Sequence, residues 1–221
     1  MKFLIHACPK REWFVEGYII PEMVRQGIDR DDIEVWMDRN GDGNLKSCVK
    51  SFASRKGIDG GTWHLQDDVA LAGDFAEKTE QYDDGIVCGF GRRGWQTIGP
   101  LSGNVPAVFM WNSFQCVRIP NELAAEFSEW FKTDAMYRDT YREAVEHNKA
   151  DDTLWYDFIT ERHLDMYVTN LDPNIVEHID DLIGGSVLHK RDGLVRSSWW
   201  QDAEAVERAE ARIKELQKLA P

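Results

Sequence analysis

The sequence predicts an α/β protein with a mixed, mainly parallel sheet flanked by helices and a C-terminal helical extension. Two observations predict this class. Short apolar runs with strand character alternate with segments of helical periodicity through residues 2–68, and turns rich in Gly, Asn and Asp separate them. The chain also ends in a segment with a regular apolar stripe. Alternating strands and helices are typical of a mainly parallel sheet with helices on its faces.

The first part of the chain supplies the alternation. Apolar runs predict the strands, and apolar residues at helical spacing predict the helices. The predicted elements, in chain order, are a strand at 2–6, a helix at 12–26 with a kink or break at Pro21, a strand at 33–37, a helix at 45–55 and a strand at 62–66.

Three loops follow the carboxyl ends of these strands, at residues 7–11, 38–44 and 67–68. Ligands of open α/β sheets bind at this edge. We therefore expect the functional residues of the first half of the chain to gather there.

The second half of the chain is mixed. We predict strands at 85–90, 107–111 and 114–119, the last two paired as a hairpin through Asn112 and Ser113, and helices at 121–132 (with Asn121 as N-cap), 134–148, 152–164 and about 202–219. The expected organisation is one domain over 1–198 and a helix within 199–221 that packs on the domain or on a partner in a homo-oligomer.

The net charge of −13 disfavours nucleic acid as an acceptor, because proteins that hold a phosphate backbone usually carry a basic face. The basic clusters are short, as at Lys10-Arg11 and Lys190-Arg191, and suit a small phosphorylated ligand better. No apolar run approaches the roughly 18 residues of a membrane span. The four cysteines lie far apart without a CxxC pair, so we expect reduced thiols and a cytoplasmic protein.

Asp67 and Asp68 are the centre of the functional prediction. Two adjacent carboxylates directly after an apolar strand need a cation or hydrogen bonds to offset their charge. Mg²⁺ or Mn²⁺ bound to a diphosphate is one suitable partner, because hard oxygen ligands suit these ions. The alternative interpretation is a turn or a helix N-cap, which is the commoner role of an isolated pair of aspartates.

These residues resemble a family. The segment Gly61–Val69 is similar to the strand and DxD-type motif of GT-A fold glycosyltransferases, among which the EDDV and DDDV patterns are closest. Residues 5–11 resemble the nucleotide-binding first loop of that class, and 36–38 resemble the end of its second strand. Residues 171–178 resemble its late segment with a histidine, and 151–154 fall where an acidic residue faces the acceptor.

The resemblance implies a GT-A-like domain that moves a sugar, hexosyl or related, from a nucleotide diphosphate donor, with a UDP-sugar favoured. It implies that Asp68 binds Mn²⁺ or Mg²⁺ directly and that Asp67 meets the ribose or a metal-bound water. The same resemblance implies that His178 belongs to the metal or diphosphate site. The nucleotide-binding set that it implies is His6, Pro9, Arg11, Asp38 and Asp67. Gln66 departs from the pattern, because an acid is common at that position.

An inverting transfer needs a base that deprotonates the acceptor hydroxyl. Asp152 is our candidate for this catalytic role and Asp151 is the second; either of them is equally suited to cap the helix that follows. Lys190 and Arg191 are candidates to close over the diphosphate, or are solvated surface charges.

Two other classes of function compete with this prediction. One is a nucleotidyltransferase, which shares the alternating sheet and a metal on carboxylates but usually has a Gly-rich first loop, where this chain has Ala7-Cys8-Pro9. The other is a calcium-binding module that uses the loop 38–49, which matches the first half of an EF-hand loop. Val49 stands at position 12 of that loop, where a bidentate Glu is required, so we expect poor calcium binding.

Overall fold

The structure is a computed structural model that describes residues 1–90, 103–106, 114–146, 151–185, 200 and 202–219. The predicted α/β class is confirmed. The strands are β1 Lys2–Ala7, β2 Ile33–Met37, β3 Gly61–Gln66, β4 Val69–Leu71, β5 Ile86–Cys88, β6 Gly103–Pro106, β7 Cys116–Pro120, β8 Tyr167–Asn170 and β9 Val176–His178. The helices are α1 Glu12–Phe14, α2 Ile20–Arg25, α3 Asn44–Ala53, α4 Phe75–Glu80, α5 Asn121–Thr133, α6 Arg142–Glu146, α7 Asp151–Arg162 and α8 Ala203–Leu219.

Within the described residues, the main sheet has seven strands in the order β2-β1-β3-β7-β5-β8-β6. The pairs β1–β2, β1–β3 and β5–β8 are parallel, and β7 and β6 run against their neighbours. Five of these strands therefore point the same way, which makes the sheet mixed and mainly parallel. A second, two-stranded antiparallel sheet joins β4 and β9.

Helices cover both faces of the main sheet. On one face, apolar side chains of β1 and β3, such as Ile5 and Leu65, share a core with the α1–α2 region, α4 and α8. On the other face, Val117 and Val168 share a core with α3, α5 and α7. The sheet is thus the middle of three layers, and its carboxyl edge stays available for the loops that follow β1, β2 and β3.

The chain stays helical through Pro21, where a kink or break was expected. A π-helical turn, Val15–Ile19, connects α1 with α2 just before the proline. Because Pro21 has no N–H, the carbonyl of Gly17 lacks its usual α-helical donor. Arg212 Nε of α8 donates to that carbonyl oxygen at 3.0 Å. Since Leu216 Cδ1 would lie 2.6 Å from a Cβ at Gly17, α8 approaches the backbone closely at this glycine.

The middle of the chain departs from prediction in three places. Strand β7 lies between β3 and β5, not beside a hairpin partner; residues 107–111 lie outside the described ranges. Asn121 is the first helical residue and not the N-cap, because its buried side chain accepts a hydrogen bond from Thr62 Oγ1 at 2.7 Å. The predicted helix 134–148 divides into short 3₁₀ turns and α6, since the extended backbone of Arg138 interrupts it.

Among the helices that the structure describes, none combines the length and the apolar character of a transmembrane span.

Candidate functional site

The acid pair, which is Asp67 and Asp68, occupies the turn between β3 and β4. Strand β3 ends at Gln66, so the alternation of side chains between the two faces of a strand no longer applies to the pair. Both aspartates are buried, with 7% and 8% of their surface exposed. Gln66 accepts a hydrogen bond from Gln115 Nε2 at 3.2 Å, so its side chain is engaged elsewhere. Both carboxylates of the pair can therefore serve one centre.

Arg11 holds the acid pair together. Its Nη1 donates to Asp67 Oδ1 at 2.8 Å and to Asp68 Oδ2 at 2.7 Å. Its Nη2 donates to the carbonyl oxygen of Gly185 at 3.0 Å. The backbone N–H of Cys8 adds a bond to Asp67 Oδ2 at 2.7 Å, so the loop after β1 is fastened to the turn after β3. Arg11 is itself buried, which makes these charge-assisted bonds the main compensation for the two carboxylates.

The electrostatics of the pair are asymmetric. Burial raises the pKa of Asp67, and the adjacent Asp68 carboxylate raises it further, against the opposing effect of Arg11. Burial also acts to raise the pKa of Asp68, but His178 and Arg11 outweigh it and hold that pKa well below its ordinary value. Burial acts to lower the pKa of Arg11, whereas Asp68 and Asp67 raise it above its ordinary value. Asp68 is therefore the member of the pair that stays ionised over the widest pH range.

Strand β9 brings His178 to the acid pair. Val69 is the register partner of His178, and the N–H of Ile179 donates to the backbone oxygen of Asp68 at 2.8 Å. His178 Nε2 consequently lies 3.2 Å from Asp68 Oδ2. The two strands of this small sheet have three residues each, too few to show a periodicity in the sequence, and the sequence did not predict them.

Asp180 is a third carboxylate of the centre, and the sequence interpretation missed it. Its Oδ2 lies 3.8 Å from His178 Nε2, and the residue is 9% exposed. The only sequence signal was an acidic pair, Asp180-Asp181, two residues after His178. Asp180 lies in the segment 180–185, which we call the 180–185 turn; Arg11 binds the far end of this turn at Gly185.

The donor atoms of this centre suit a hard divalent cation, since they are carboxylate oxygens and one imidazole nitrogen. Asp68 Oδ1 is buried and has no hydrogen-bond partner, and a bound cation would satisfy this oxygen. In the described part of the chain, no three His, Cys, Asp or Glu side chains already form a metal group. Arg11 Nη1 instead lies between the two carboxylates. The residue types fit Mg²⁺ or Mn²⁺, and Asp68, Asp67 and His178 are the candidates to hold it.

The nucleotide-binding candidates are spread over the same edge of the sheet, but their side chains do not all face the acid pair. His6 turns to the α3 face, where its Nε2 lies 2.9 Å from His64 Nδ1 and its Nδ1 lies 3.4 Å from Ser51 Oγ. Pro9 is exposed at the start of a short 3₁₀ turn.

Asp38 orders its own loop. Its Oδ1 and Oδ2 accept the backbone N–H groups of Asp42 and Gly43 at 2.8 and 2.7 Å. The loop follows β2 and not a helix, Lys50 pairs with Asp42, and Val49 is buried in the α3 core. Position 12 of the EF-hand-like loop therefore points away from the place where calcium would bind.

Asp152 lies in the first turn of α7, and its Oδ1 accepts the N–H of Thr153 at 2.8 Å. The ring of Trp155 contacts Phe114, which precedes β7 at the carboxyl edge of β3, with centroids 6.0 Å apart. The start of α7 therefore lies at the same edge of the sheet as the acid pair. Lys190 and Arg191, and the side chain of Asp151, lie outside what the structure describes.

Fold and site together define an α/β protein with a buried, arginine-bridged acidic centre at the carboxyl edge of its sheet. Among solved structures, the chain is similar to A197 from STIV, with 16% identity over 81% of this chain and 86% of that chain and a TM-score of 0.45. It is also similar to the galactosyltransferase LgtC in complex with donor and acceptor sugar analogs, with 11% identity over 96% of each chain and a TM-score of 0.44. No protein-family model and no curated protein matches the chain.

Proposed function

We propose that the protein is a metal-dependent glycosyltransferase that moves a sugar from a nucleotide diphosphate donor, with a UDP-sugar favoured, to an acceptor hydroxyl. The observation that carries the proposal is the convergence of Asp67, Asp68, Arg11 and His178 at the carboxyl edge of a mainly parallel sheet. This edge is where α/β sheets bind nucleotides.

The charge balance of the centre supports a cationic ligand. Three carboxylates, those of Asp67, Asp68 and Asp180, face one guanidinium and one imidazole in a buried setting. Buried negative charge in excess is costly unless a cation neutralises it. A divalent ion held by Asp68 and His178 would supply charge stabilisation to the diphosphate as it leaves the sugar. Arg11 is the described cation nearest to that position, and its planar guanidinium is suited to phosphate oxygens.

In the proposed transfer, the bond between the anomeric carbon and the diphosphate oxygen breaks and the acceptor oxygen forms the new bond to that carbon. The acceptor hydroxyl loses its proton to a base, for which we propose Asp152, with Asp151 as the second candidate. Asp152 is partly buried at the same edge of the sheet, which is the location that supports this role. Asp38 is proposed to order the nucleotide-binding loop through its bonds to Asp42 and Gly43, with His6 and Pro9 beside it. Lys190 and Arg191 are proposed to close over the diphosphate.

The test is transfer or hydrolysis of a panel of nucleotide sugars, measured by release of nucleoside diphosphate with Mn²⁺, with Mg²⁺ and with EDTA. Asp68→Asn removes the charge of the central carboxylate but keeps its shape, so we expect at least a 100-fold loss of turnover, about 2.7 kcal/mol in the barrier. Asp165→Asn is the matched control, because Asp165 is exposed just before β8, at the opposite edge of the sheet. Full turnover by Asp68→Asn would refute the assignment. Release of pyrophosphate from a nucleoside triphosphate would identify a nucleotidyltransferase instead.

A further inference from the structure

We propose that Arg11 and a divalent cation compete for the acid pair, so that cation binding also releases the 180–185 turn. This inference rests on the proposed function, because it describes how the same centre would be controlled. In the structure the guanidinium occupies the contacts that a cation needs. Three observations lead to this conclusion.

The first observation is the position of Arg11 Nη1, which lies 2.8 Å from Asp67 Oδ1 and 2.7 Å from Asp68 Oδ2. Mg²⁺ binds carboxylate oxygens at about 2.0–2.1 Å, so an ion bridging these two oxygens would have to occupy almost the same space as Nη1. Two cations at that separation also repel each other strongly in a buried setting. Arg11 and a bridging ion are therefore mutually exclusive at the acid pair.

The second observation is that the other end of the guanidinium holds the 180–185 turn. Arg11 Nη2 donates to the oxygen of Gly185, and the N–H of Gly185 donates to the oxygen of Asp180 at 2.6 Å. Gly184 and Gly185 both adopt positive φ angles, of 102° and 80°. Glycine takes this conformation at no steric cost. Ile183 packs the middle of the turn into the core, so the hydrogen bonds hold mainly its end at Gly184 and Gly185. Departure of Arg11 removes one of these bonds.

The third observation is that other side-chain atoms able to bind a cation lie close to the contact between Arg11 and the acid pair. Asp68 Oδ1 is buried and has no hydrogen-bond partner, and Oδ2 of Asp180 lies 3.8 Å from the same imidazole nitrogen that faces Asp68. Asp68, His178 and Asp180 therefore lie near one another, but within the described residues they do not yet form a group in which all three could bind one cation. Movement of the 180–185 turn is the step that would bring Asp180 into it.

The test measures Mn²⁺ affinity by EPR of the free ion, on the full chain and without a sugar donor. Arg11→Gln removes the competing charge, so we expect Mn²⁺ to bind at least 10-fold more tightly than it binds the wild-type protein. Arg11→Lys keeps a charge without the fork geometry, and we expect an intermediate affinity. Arg142→Gln is the matched control, since Arg142 is an exposed arginine on α6, and its affinity should equal that of the wild type. An Arg11→Gln protein that is folded and binds Mn²⁺ no more tightly than the wild type overturns the proposal.

A second measurement does not depend on folding of the Arg11 variants. In wild-type protein labelled with ¹⁵N-arginine, saturation with Mg²⁺ should shift the Arg11 side-chain resonance and leave that of Arg142 in place. An unchanged Arg11 resonance at Mg²⁺ saturation also overturns competition. Because neither measurement uses a sugar donor, they are separate from the transfer assay. A protein that shows competition but no transfer would lose the proposed function and keep the inference.

Discussion

The buried histidine pair on the α3 face makes stability depend on pH in a window that the structure specifies. Ser51 Oγ donates to the oxygen of Cys48 at 2.7 Å, so it accepts from His6 Nδ1. His6 Nε2 is then an acceptor for the Nδ1–H of His64. This chain of bonds requires a neutral His6 ring, because His6 Nε2 must accept; His64 Nε2 is buried without a hydrogen-bond partner, so burial opposes a charge on that ring. Burial, with a smaller contribution from Arg55, lowers the pKa of His6 to about 4, and burial lowers that of His64 well below its ordinary value.

The direction in which stability changes with pH follows from proton binding. In the unfolded chain both imidazoles titrate near 6.5, so below that pH the unfolded state binds more protons than the folded state and stability falls. For His6 alone, a folded pKa of about 4 gives a loss of about 2 kcal/mol between pH 7.5 and pH 5, and about 3 kcal/mol in full. Part of His6 is accessible to solvent, so these two losses of the free energy of unfolding are upper estimates. His64 adds to the loss in the same direction.

The two carboxylates of the acid pair change stability with pH in opposite directions. The lowered pKa of Asp68 stabilises the folded state above the ordinary carboxylate range and is lost only below about pH 4. The raised pKa of Asp67 works in the opposite sense, since protonation of that carboxylate on acidification favours the folded state. A fall in stability between pH 6.5 and pH 5 is therefore opposite in sign to the contribution of Asp67, and it lies above the range in which the contribution of Asp68 is lost.

The assay is urea unfolding, followed by tryptophan fluorescence, at several pH values from 7.5 to 5. We expect the wild-type free energy of unfolding to fall by about 2 kcal/mol or more over this range. His6→Gln and His64→Gln should each reduce the slope with pH, whatever they do to stability at neutral pH. His163→Gln is the comparison variant, because it removes a histidine that lies outside the buried pair, beside Glu126. A wild-type free energy that stays constant from pH 7.5 to 5 would refute this account of the pair.

Two further predictions concern packing and the calcium alternative. Gly17→Ala places a methyl group 2.6 Å from Leu216 Cδ1, so Leu216 must shift, which opposes the gain of about 1 kcal/mol that Ala has over Gly in a helix. We therefore expect Gly17→Ala to be more favourable in a Leu216→Ala background than in the wild type, as measured by urea unfolding; the same effect in both backgrounds would contradict the close approach of α8. Calorimetry with Ca²⁺ should show no submillimolar binding at the loop 38–49, because Val49 is buried; binding that disappears in Asp42→Ala would favour the calcium module.

Local patterns in the sequence predicted much of the fold and several residues of the acidic centre. The alternation of strands and helices, the third strand ending at the acid pair and the C-terminal helix all follow from periodicity and turn residues, which are properties of neighbouring residues. Arg11, Asp67, Asp68 and His178 were each selected from the sequence, and the structure brings their side chains together. The strand pair β4–β9, the division of the helix at 134–148 and the carboxylate of Asp180 were not predicted.

The sequence by itself determined the class of the protein and the presence of two carboxylates at the end of a buried strand. Only the tertiary structure decided what those carboxylates bind. Arg11 lies 56 and 57 positions before the aspartates, and His178 lies 110 positions after Asp68. Contacts over such separations depend on how β1, β3 and β9 align, and no local propensity contains that register. The acid pair was expected to need a cation or hydrogen bonds, and the guanidinium of Arg11 supplies both from within the described chain.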